Sequence, residues 1–204
     1  MTKDTGVAIH SDALLGKRVL LAIAGGIAAV ESVRLARELR RHQADLTVIM
    51  SEEATKIITP LAVSWGSDTI VHQGWSSEMS QLEAFDMILI APATRNTISK
   101  HLHGIMDSPL LMALSASRGR KSKLCFVPSM HTDLFDDPVT SELLDALRDE
   151  GSHVIINEVD EGKLKQPDPI SIVAEVCHIA NRSQSSKSIA ITMGANRAPI
   201  DAVR

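Results

Sequence analysis

The sequence MILIAPATRNTISK occupies residues 87–100 and decides the fold that we expect. Its first half is a short apolar run, typical of a parallel strand covered on both faces, and its second half is a polar turn that opens a helix. In open α/β sheets, ligands lie beyond the carboxyl ends of the strands, where backbone N–H groups and helix N-termini attract anions and polar rings. The run therefore predicts a ligand-binding edge.

Two similar units precede this run. The apolar residues 19–23 are followed by Gly25, Gly26 and a predicted helix that reaches about residue 41, and the strand predicted over 45–50 ends at Ser51. Glycines between a strand and a helix let the backbone approach a phosphate, but the full G-x-G-x-x-G pattern is absent. A mononucleotide phosphate loop and a plain tight turn both remain open. Ser51 predicts a helix N-cap, and its hydroxyl could equally meet a phosphate.

The rest of the chain continues the alternation of strands and helices. Apolar runs at 124–127 and 153–156 predict further strands, and residues 138–148 and 169–181 have helical patterns. We expect an α/β domain with a three-layer, doubly wound parallel sheet, Rossmann-like or flavodoxin-like. Its predicted bounds are 17–181, after an N-terminal arm at 1–16 and before a linker and tail at 182–204.

Composition excludes several classes of protein. Of the 204 residues, 44% are hydrophobic and 23% are charged, which is typical of a soluble globular protein, and no apolar run is long enough to span a bilayer. We expect a cytoplasmic protein with no membrane partner. The net charge of -4 argues against nucleic acid as a partner.

The titratable residues predict no metal site. Cys125 and Cys177 lie far apart in apolar surroundings, which favours free thiols. His101 and His103 are two residues apart on a predicted helix, so they do not share a face, and we expect them to be solvated or at an interface.

A spaced set of motifs resembles a known family. The homo-oligomeric flavin-containing Cys decarboxylases, which include phosphopantothenoylcysteine decarboxylase, are similar to this chain over about residues 17–180, with the motifs in the same order. The matching motifs are Gly25-Gly26-Ile27-Ala28, Ser51, APATxNTxxK at 91–100, Gly104-x-x-Asp107 and Pro128-x-Met130.

This resemblance implies FMN as the cofactor. It assigns the FMN phosphate to Gly25, Gly26 and Ser51, with Ile27 in the same motif. It also implies a homotrimer, or a multiple of it, with FMN at the subunit interfaces, so that Asp107 would partly serve a neighbouring subunit. The residues implied to line the ribityl chain and flavin ring are Ala93, Thr94, Asn96 and Met130.

Three departures from the family pattern concern catalysis. The segment that carries the active-site histidine is Ser-Glu-Met-Ser at 77–80, the Pro-Ala-Met-Asn motif ends in His131, and the substrate flap at 159–165 has no cysteine. These groups clamp the carboxylate and handle protons in oxidative decarboxylation. We therefore predict an FMN-dependent oxidoreductase that resembles dihydromethanopterin reductase of one-carbon metabolism. Its substrate would be a pterin or a second flavin, and His131 would be the catalytic proton or hydrogen-bond donor.

Two other functions remain open. One is a decarboxylase that uses His131 in place of the missing histidine, and the other is a non-catalytic FMN-binding regulator. The tail at 191–204 resembles the opening of the ligase half of the bifunctional coenzyme A enzyme, and we interpret it as a relic of descent or an oligomer contact.

Overall fold

A six-stranded parallel sheet forms the centre of the protein. The computed structural model describes residues 6–77, 80–157, 159–160 and 163–182. The strand order is β3-β2-β1-β4-β5-β7. Its members are β1 (Arg18–Ile23), β2 (Asp45–Met50), β3 (Val71–Gln73), β4 (Met87–Ala93), β5 (Lys123–Pro128) and β7 (His153–Val154). This topology confirms the predicted doubly wound α/β fold.

Helices cover both faces of the sheet, which makes three layers. They are α1 (Ser32–Arg41), α2 (Glu52–Thr55), α3 (Pro60–Ser67), α4 (Arg95–Leu102), α5 (Pro109–Gly119), α6 (Thr132–Phe135), α7 (Pro138–Asp149) and α8 (Pro169–Asn181). Short 3-10 turns occur at Ile27–Glu31 and Ser80–Leu82. One core packs α1 and α8 against the sheet, and the other packs α4, α5 and α7 against its opposite face. None of the helices in the described ranges is long and apolar enough to span a bilayer.

The strand at the start of the opening run lies in the middle of this arrangement. Every residue of β4 is buried, as the unbroken apolar run predicts for a strand covered on both sides. It pairs with β1 on one side and β5 on the other. The sequence order of the strands reverses between β1 and β4, so the crevice beyond their carboxyl ends is the position where such sheets bind ligands.

A small antiparallel sheet lies beyond the carboxyl end of β5. It joins β6 (Met130–His131), β8 (Val159–Asp160) and β9 (Lys163–Leu164), in the order β6-β9-β8. Two-residue strands are too short to show an alternating pattern, so the sequence does not mark them. This pairing brings Met130 and His131 beside β9.

Residues 6–16, which we expected to form an arm, pack against the domain. Leu14 is completely buried, and the backbone N–H of His10 donates to the carbonyl of Arg41 at 2.8 Å. The amide of Asn181, at the end of α8, donates to the carbonyl of Ala13. At the other terminus, most of the predicted linker and the whole predicted tail lie outside the described residues.

Candidate functional site

A polar pocket of about 400 Å³ lies at the carboxyl ends of β1, β2 and β4. We call it the polar pocket. The structure brings together here five of the predicted cofactor residues: Gly25, Ser51, Thr94, Asn96 and Asp107. These residues are far apart in sequence, and the parallel sheet collects them because strand ends of one direction meet at one edge.

Helix caps surround the polar pocket. Thr94 caps α4 by accepting a hydrogen bond from the backbone N–H of Thr97, and Ser108 caps α5 through Leu111 in the same way. Both capping residues line the pocket, so two helix N-termini direct their positive dipole ends toward it. Ser51 caps α2 through the N–H of Ala54 at 3.2 Å, which confirms the capping interpretation, and its O–H remains available as a donor.

Acidic side chains also line the polar pocket. Glu53 pairs with Lys56 at 2.9 Å, and Asp107 pairs with Lys100 at 2.5 Å. Glu52 belongs to the same lining. An anion would therefore meet its binding groups among the helix caps and backbone N–H groups, with these carboxylates held near lysine ammonium groups.

Helix α2 packs so closely against Gly25 that no side chain fits at this position. A Cβ atom on Gly25 would lie 2.2 Å from the Cβ of Glu53, whereas one on Gly26 would meet nothing nearer than 3.5 Å, at Pro92. The sequence suggested that both glycines admit a phosphate. In the structure, close backbone packing is the requirement at Gly25.

A second cavity, of about 490 Å³, is more apolar in lining than the first. We call it the His131 pocket. It contains three more of the predicted residues, Ile27, Met130 and His131, with Lys165 and Gln166 beside them. Gly25 lines one pocket and Ile27 the other, and Cα atoms two residues apart lie within about 7 Å of each other. Eight of the ten predicted site residues therefore divide between two pockets whose linings are neighbours along the chain.

Two predicted residues lie in neither lining. Ala93 is completely buried, and its carbonyl accepts a hydrogen bond from the N–H of Ser129. Gly26 lies between the two pockets in sequence, against Pro92 and Thr94.

His131 is half-exposed and is held by its own loop. Its side chain is 56% exposed, and Nδ1 accepts a hydrogen bond from the backbone N–H of Asp133 at 3.3 Å. The Asp133 carboxylate lies 3.2 Å from the same nitrogen. A neutral ring that accepts at Nδ1 carries its proton on Nε2, which can then donate to a bound molecule.

Gln166 was missed by the sequence reasoning. It lines the His131 pocket, and both its amide oxygen and its amide nitrogen are buried and have no hydrogen-bond partner among the described residues. The hydroxyl of Thr132, next to His131, is buried and unpartnered as well. Unpaired buried polar groups are costly, and they point to a polar ligand at this place. No pattern in the sequence marks Gln166, because it lies in an irregular loop.

His101 differs from the sequence expectation, since it is buried and lines neither pocket. Its Nε2 lies 2.9 Å from Glu150 Oε1, and its ring packs 5.2 Å from that of Phe126. Burial lowers the pKa of His101 below its ordinary 6.5, against the opposing effect of Glu150. Burial raises the pKa of Glu150, but hydrogen bonds from His101, Ser152 and Arg118 outweigh it and leave that pKa lowered. The pair joins α4 to the end of α7.

The cysteines are free thiols, as predicted. Burial raises the pKa of Cys125 to about 12, and burial also raises the pKa of Cys177. Neither thiol has the thiolate character of a nucleophile.

Of the segment at 77–80 that lacks the family histidine, Glu78 and Met79 lie outside the described residues.

The chain matches the Flavoprotein family over residues 7–181 and belongs to it. It is 36% identical to the coenzyme A biosynthesis bifunctional protein CoaBC of Thermococcus kodakarensis, covering 97% of this chain and 51% of that protein. The CoaBC of Bacillus subtilis is 30% identical, with 94% of this chain and 51% of that protein covered. The chain thus spans about half the length of the curated relatives it matches.

Solved structures share the fold. The FMN-dependent cysteine decarboxylase SpaF superposes with a TM-score of 0.70 at 22% identity, over 82% of this chain and 98% of that one. A PPC decarboxylase mutant complexed with pantothenoylaminoethenethiol gives 0.69 at 21% identity, over 80% of this chain and 97% of that one.

These comparisons correct one prediction and confirm another. Membership of the Flavoprotein family confirms the expected flavin. The dihydropterin reductase prediction is wrong, because relatives that match nearly the whole chain are named for coenzyme A biosynthesis. The oxidoreductase class, the role in one-carbon metabolism and the pterin or second-flavin substrate have no support. The prediction was wrong because it rested on three missing catalytic motifs, whereas the similarity extends over the whole domain.

Proposed function

We propose that this chain is an FMN-dependent decarboxylase whose substrate ends in a cysteine, of the phosphopantothenoylcysteine type. The names of the relatives and of the structural neighbours support this class of reaction. The observation that carries it is a pair of pockets whose linings include residues only two positions apart, Gly25 and Ile27. One is polar and ringed by helix caps, and the other is more apolar and contains an imidazole and an unpaired amide.

The residues of the polar pocket fit FMN. The N-termini of α4 and α5 and the donor hydroxyl of Ser51 suit a phosphate, since helix N-termini favour anions. The side-chain amide of Asn96 offers both a donor and an acceptor, as the heteroatom edge of a flavin requires. When bound, FMN would supply a two-electron oxidant.

The chemistry of a cysteine carboxylate explains why an oxidant is needed. Loss of carbon dioxide leaves an electron pair on Cα, and an ordinary cysteine has no group to accept it. If a hydride equivalent leaves Cβ and a proton leaves the thiol, the C–S bond becomes double. The Cα–carboxylate electron pair can then move toward sulfur, which gives an ethenethiol. The ligand named with the PPC decarboxylase mutant is such an ethenethiol.

His131 is our candidate for the carboxylate-binding and proton-handling roles of the family residues that this chain lacks. It takes the place of the asparagine in the family motif, and its Nε2–H can donate to the substrate carboxylate. An imidazole can also accept the thiol proton and return it. Gln166 provides a second polar contact in the same pocket, for an amide group of the substrate.

A homotrimer with FMN at its interfaces remains our prediction for the assembly. Large apolar side chains are exposed near the two pockets: Ile27 by 75%, Met106 by 49% and Ile105 by 43%. A neighbouring subunit would cover them and exclude water from the reaction. Light scattering coupled to gel filtration measures the mass, and a monomer carrying FMN and full activity would contradict this assembly.

The function is tested with phosphopantothenoylcysteine that is labelled in its carboxyl group. FMN-loaded protein should release labelled carbon dioxide from this substrate and none from the serine analogue, because oxygen at that position does not form the double bond that accepts electrons as readily as sulfur. Protein that binds FMN but releases no label from the cysteine substrate would overturn the proposal and favour a non-catalytic FMN-binding role.

A further inference from the structure

A cluster of possible metal ligands lies outside both pocket linings, at the C-terminal end of α1. Residues 6–16, which we call the N-terminal segment, meet α1 there. His10, Glu38 and His42 each direct a ligand atom into one space, and these atoms are all within 4.8 Å of one another. Glu38 is buried, although it is charged, and His42 is the residue that caps α1. The negative end of the helix dipole favours a cation at this place.

Backbone hydrogen bonds fix the positions of the chain segments that carry the three side chains. The N–H of His10 donates to the carbonyl of Arg41 at 2.8 Å, and the N–H of Leu14 donates to the carbonyl of His42 at 2.9 Å. These bonds hold the N-terminal segment against α1 independently of the side chains. A ligand bound here would therefore meet a largely preformed site.

Hydrogen bonds within the cluster leave a ligand atom of His42 and of Glu38 available. Ser11 Oγ lies 2.6 Å from His42 Nδ1, so that Nδ1–H can donate to the hydroxyl and leave the Nε2 lone pair for a metal. Arg41 binds Glu38 Oε2 at 2.5 Å, which leaves Oε1 facing the two imidazoles.

The remaining distances are too long for direct hydrogen bonds. Glu38 Oε1 lies 3.5 Å from His42 Nε2 and 3.9 Å from His10 Nδ1, whereas N–H···O bonds measure about 2.7–3.2 Å. A tetrahedral Zn²⁺ with bonds of about 2.0 Å holds its ligand atoms about 3.3 Å apart. Because all three ligand atoms lie within 4.8 Å of one another, an ion between them requires the atoms to close by at most about 1.5 Å.

We propose that His10, Glu38 and His42 bind a divalent transition metal of the Zn²⁺ type and so tie the N-terminal segment to α1. Two imidazoles and one carboxylate form a ligand set that Zn²⁺ accepts, with water in the fourth position. The site is structural in this proposal, and it is independent of the decarboxylase function.

The test uses full-length protein without a histidine tag. Isothermal titration with Zn²⁺ should give one ion per chain, and Co²⁺ should give the visible spectrum of a tetrahedral site. His10→Ala is the most informative variant, because this side chain is 53% exposed and its loss leaves the core intact. His10→Ala and His42→Ala should each weaken Zn²⁺ binding by at least about tenfold.

Stability gives a second readout. Zn²⁺ at about a hundred times its Kd should raise the Tm of the parent protein by roughly 5 to 10 °C, and the shift should be much smaller in His10→Ala. His103→Ala, which removes an exposed histidine outside the cluster, is the matched control and should bind Zn²⁺ as the parent does. Absence of stoichiometric binding to the parent, or equal affinity in the parent, His10→Ala and His42→Ala, would overturn the proposal.

Discussion

Gly25 and Glu53 approach so closely that a Cβ atom on Gly25 would lie 2.2 Å from the Cβ of Glu53 and 2.9 Å from its carbonyl carbon. Both contacts involve atoms that cannot rotate away. Gly25→Ala should therefore push α2 from the polar pocket and lower the free energy of unfolding by about 1–3 kcal/mol, the usual cost of overpacking. Urea unfolding and FMN titration measure the two effects.

The matched control is Gly26→Ala, since the added methyl would meet nothing nearer than 3.5 Å. We expect stability within about 1 kcal/mol of the parent, the difference expected for glycine and alanine in the unfolded chain. If the two variants were equally stable, the close approach of Gly25 to α2 would not be a constraint.

Asn96 should contribute to FMN affinity and little to stability, because it is exposed at the start of α4 and lines the polar pocket. Loss of one hydrogen bond in Asn96→Ala should weaken FMN binding by about tenfold. Flavin fluorescence quenching measures the Kd. Asn157→Ala, an exposed asparagine that lines neither pocket, serves as control and should keep the parent affinity.

The buried pair of His101 and Glu150 predicts a pH dependence of stability. The pKa of His101 is lowered in the folded protein, so between 6.5 and its folded pKa the unfolded chain binds more protons. The contribution of His101 to the free energy of unfolding is therefore fully present above pH 6.5, and it falls as the pH drops below 6.5. The lowered pKa of Glu150 adds a further loss below its ordinary 4.5. Urea unfolding across this range measures the slope.

His101→Gln isolates this effect, since its amide can still donate to Glu150 but does not titrate. We expect a shallower loss of stability between pH 7 and 5 in this variant, with part of the total stability also lost. His103→Gln should keep the slope of the parent, because His103 is exposed. An unchanged slope in His101→Gln would show that another group is responsible.

Cys125 should be inert toward thiol reagents in the native protein. With its pKa raised to about 12 by burial, the thiolate is scarce at pH 8 and the sulfur is inaccessible. In a Cys177→Ser variant, a disulfide reagent should label Cys125 only after urea is added. Rapid labelling of the folded variant would contradict the packing described for β5.

His131 should affect turnover more than binding of FMN. Proton transfer by a positioned side chain contributes about a hundredfold or more, so His131→Ala should lower kcat by about that factor. His131→Asn should retain more activity, because its amide can still donate to a carboxylate. Full activity of His131→Ala would remove this residue from the mechanism.

The sequence predicted the sheet well because the physical signal was local. The apolar run of β4 and the capping residues Ser51 and Thr94 each mark an element boundary within a few residues. The hairpin of β8 and β9 and the burial of His101 depend on contacts distant in sequence, such as that with Glu150, and leave no local pattern.

The site was predictable in part for the same reason. Gly25, Thr94 and Asn96 follow predicted strands, and the topology places such residues at one edge. Gln166 lies in a loop without a pattern, and only the structure shows its unpaired amide beside His131. The predicted pterin or second-flavin substrate was wrong because departures at a few positions do not determine the reaction of a whole domain.

Release of carbon dioxide tests the central claim most directly. The protein is divided into a portion loaded with FMN and a portion stripped of flavin, and each is mixed with phosphopantothenoylcysteine labelled in its carboxyl group. The account predicts repeated turnovers of labelled carbon dioxide from the loaded portion and none from the stripped one, with activity restored when FMN is added back. Saturating FMN with no release of label would contradict it.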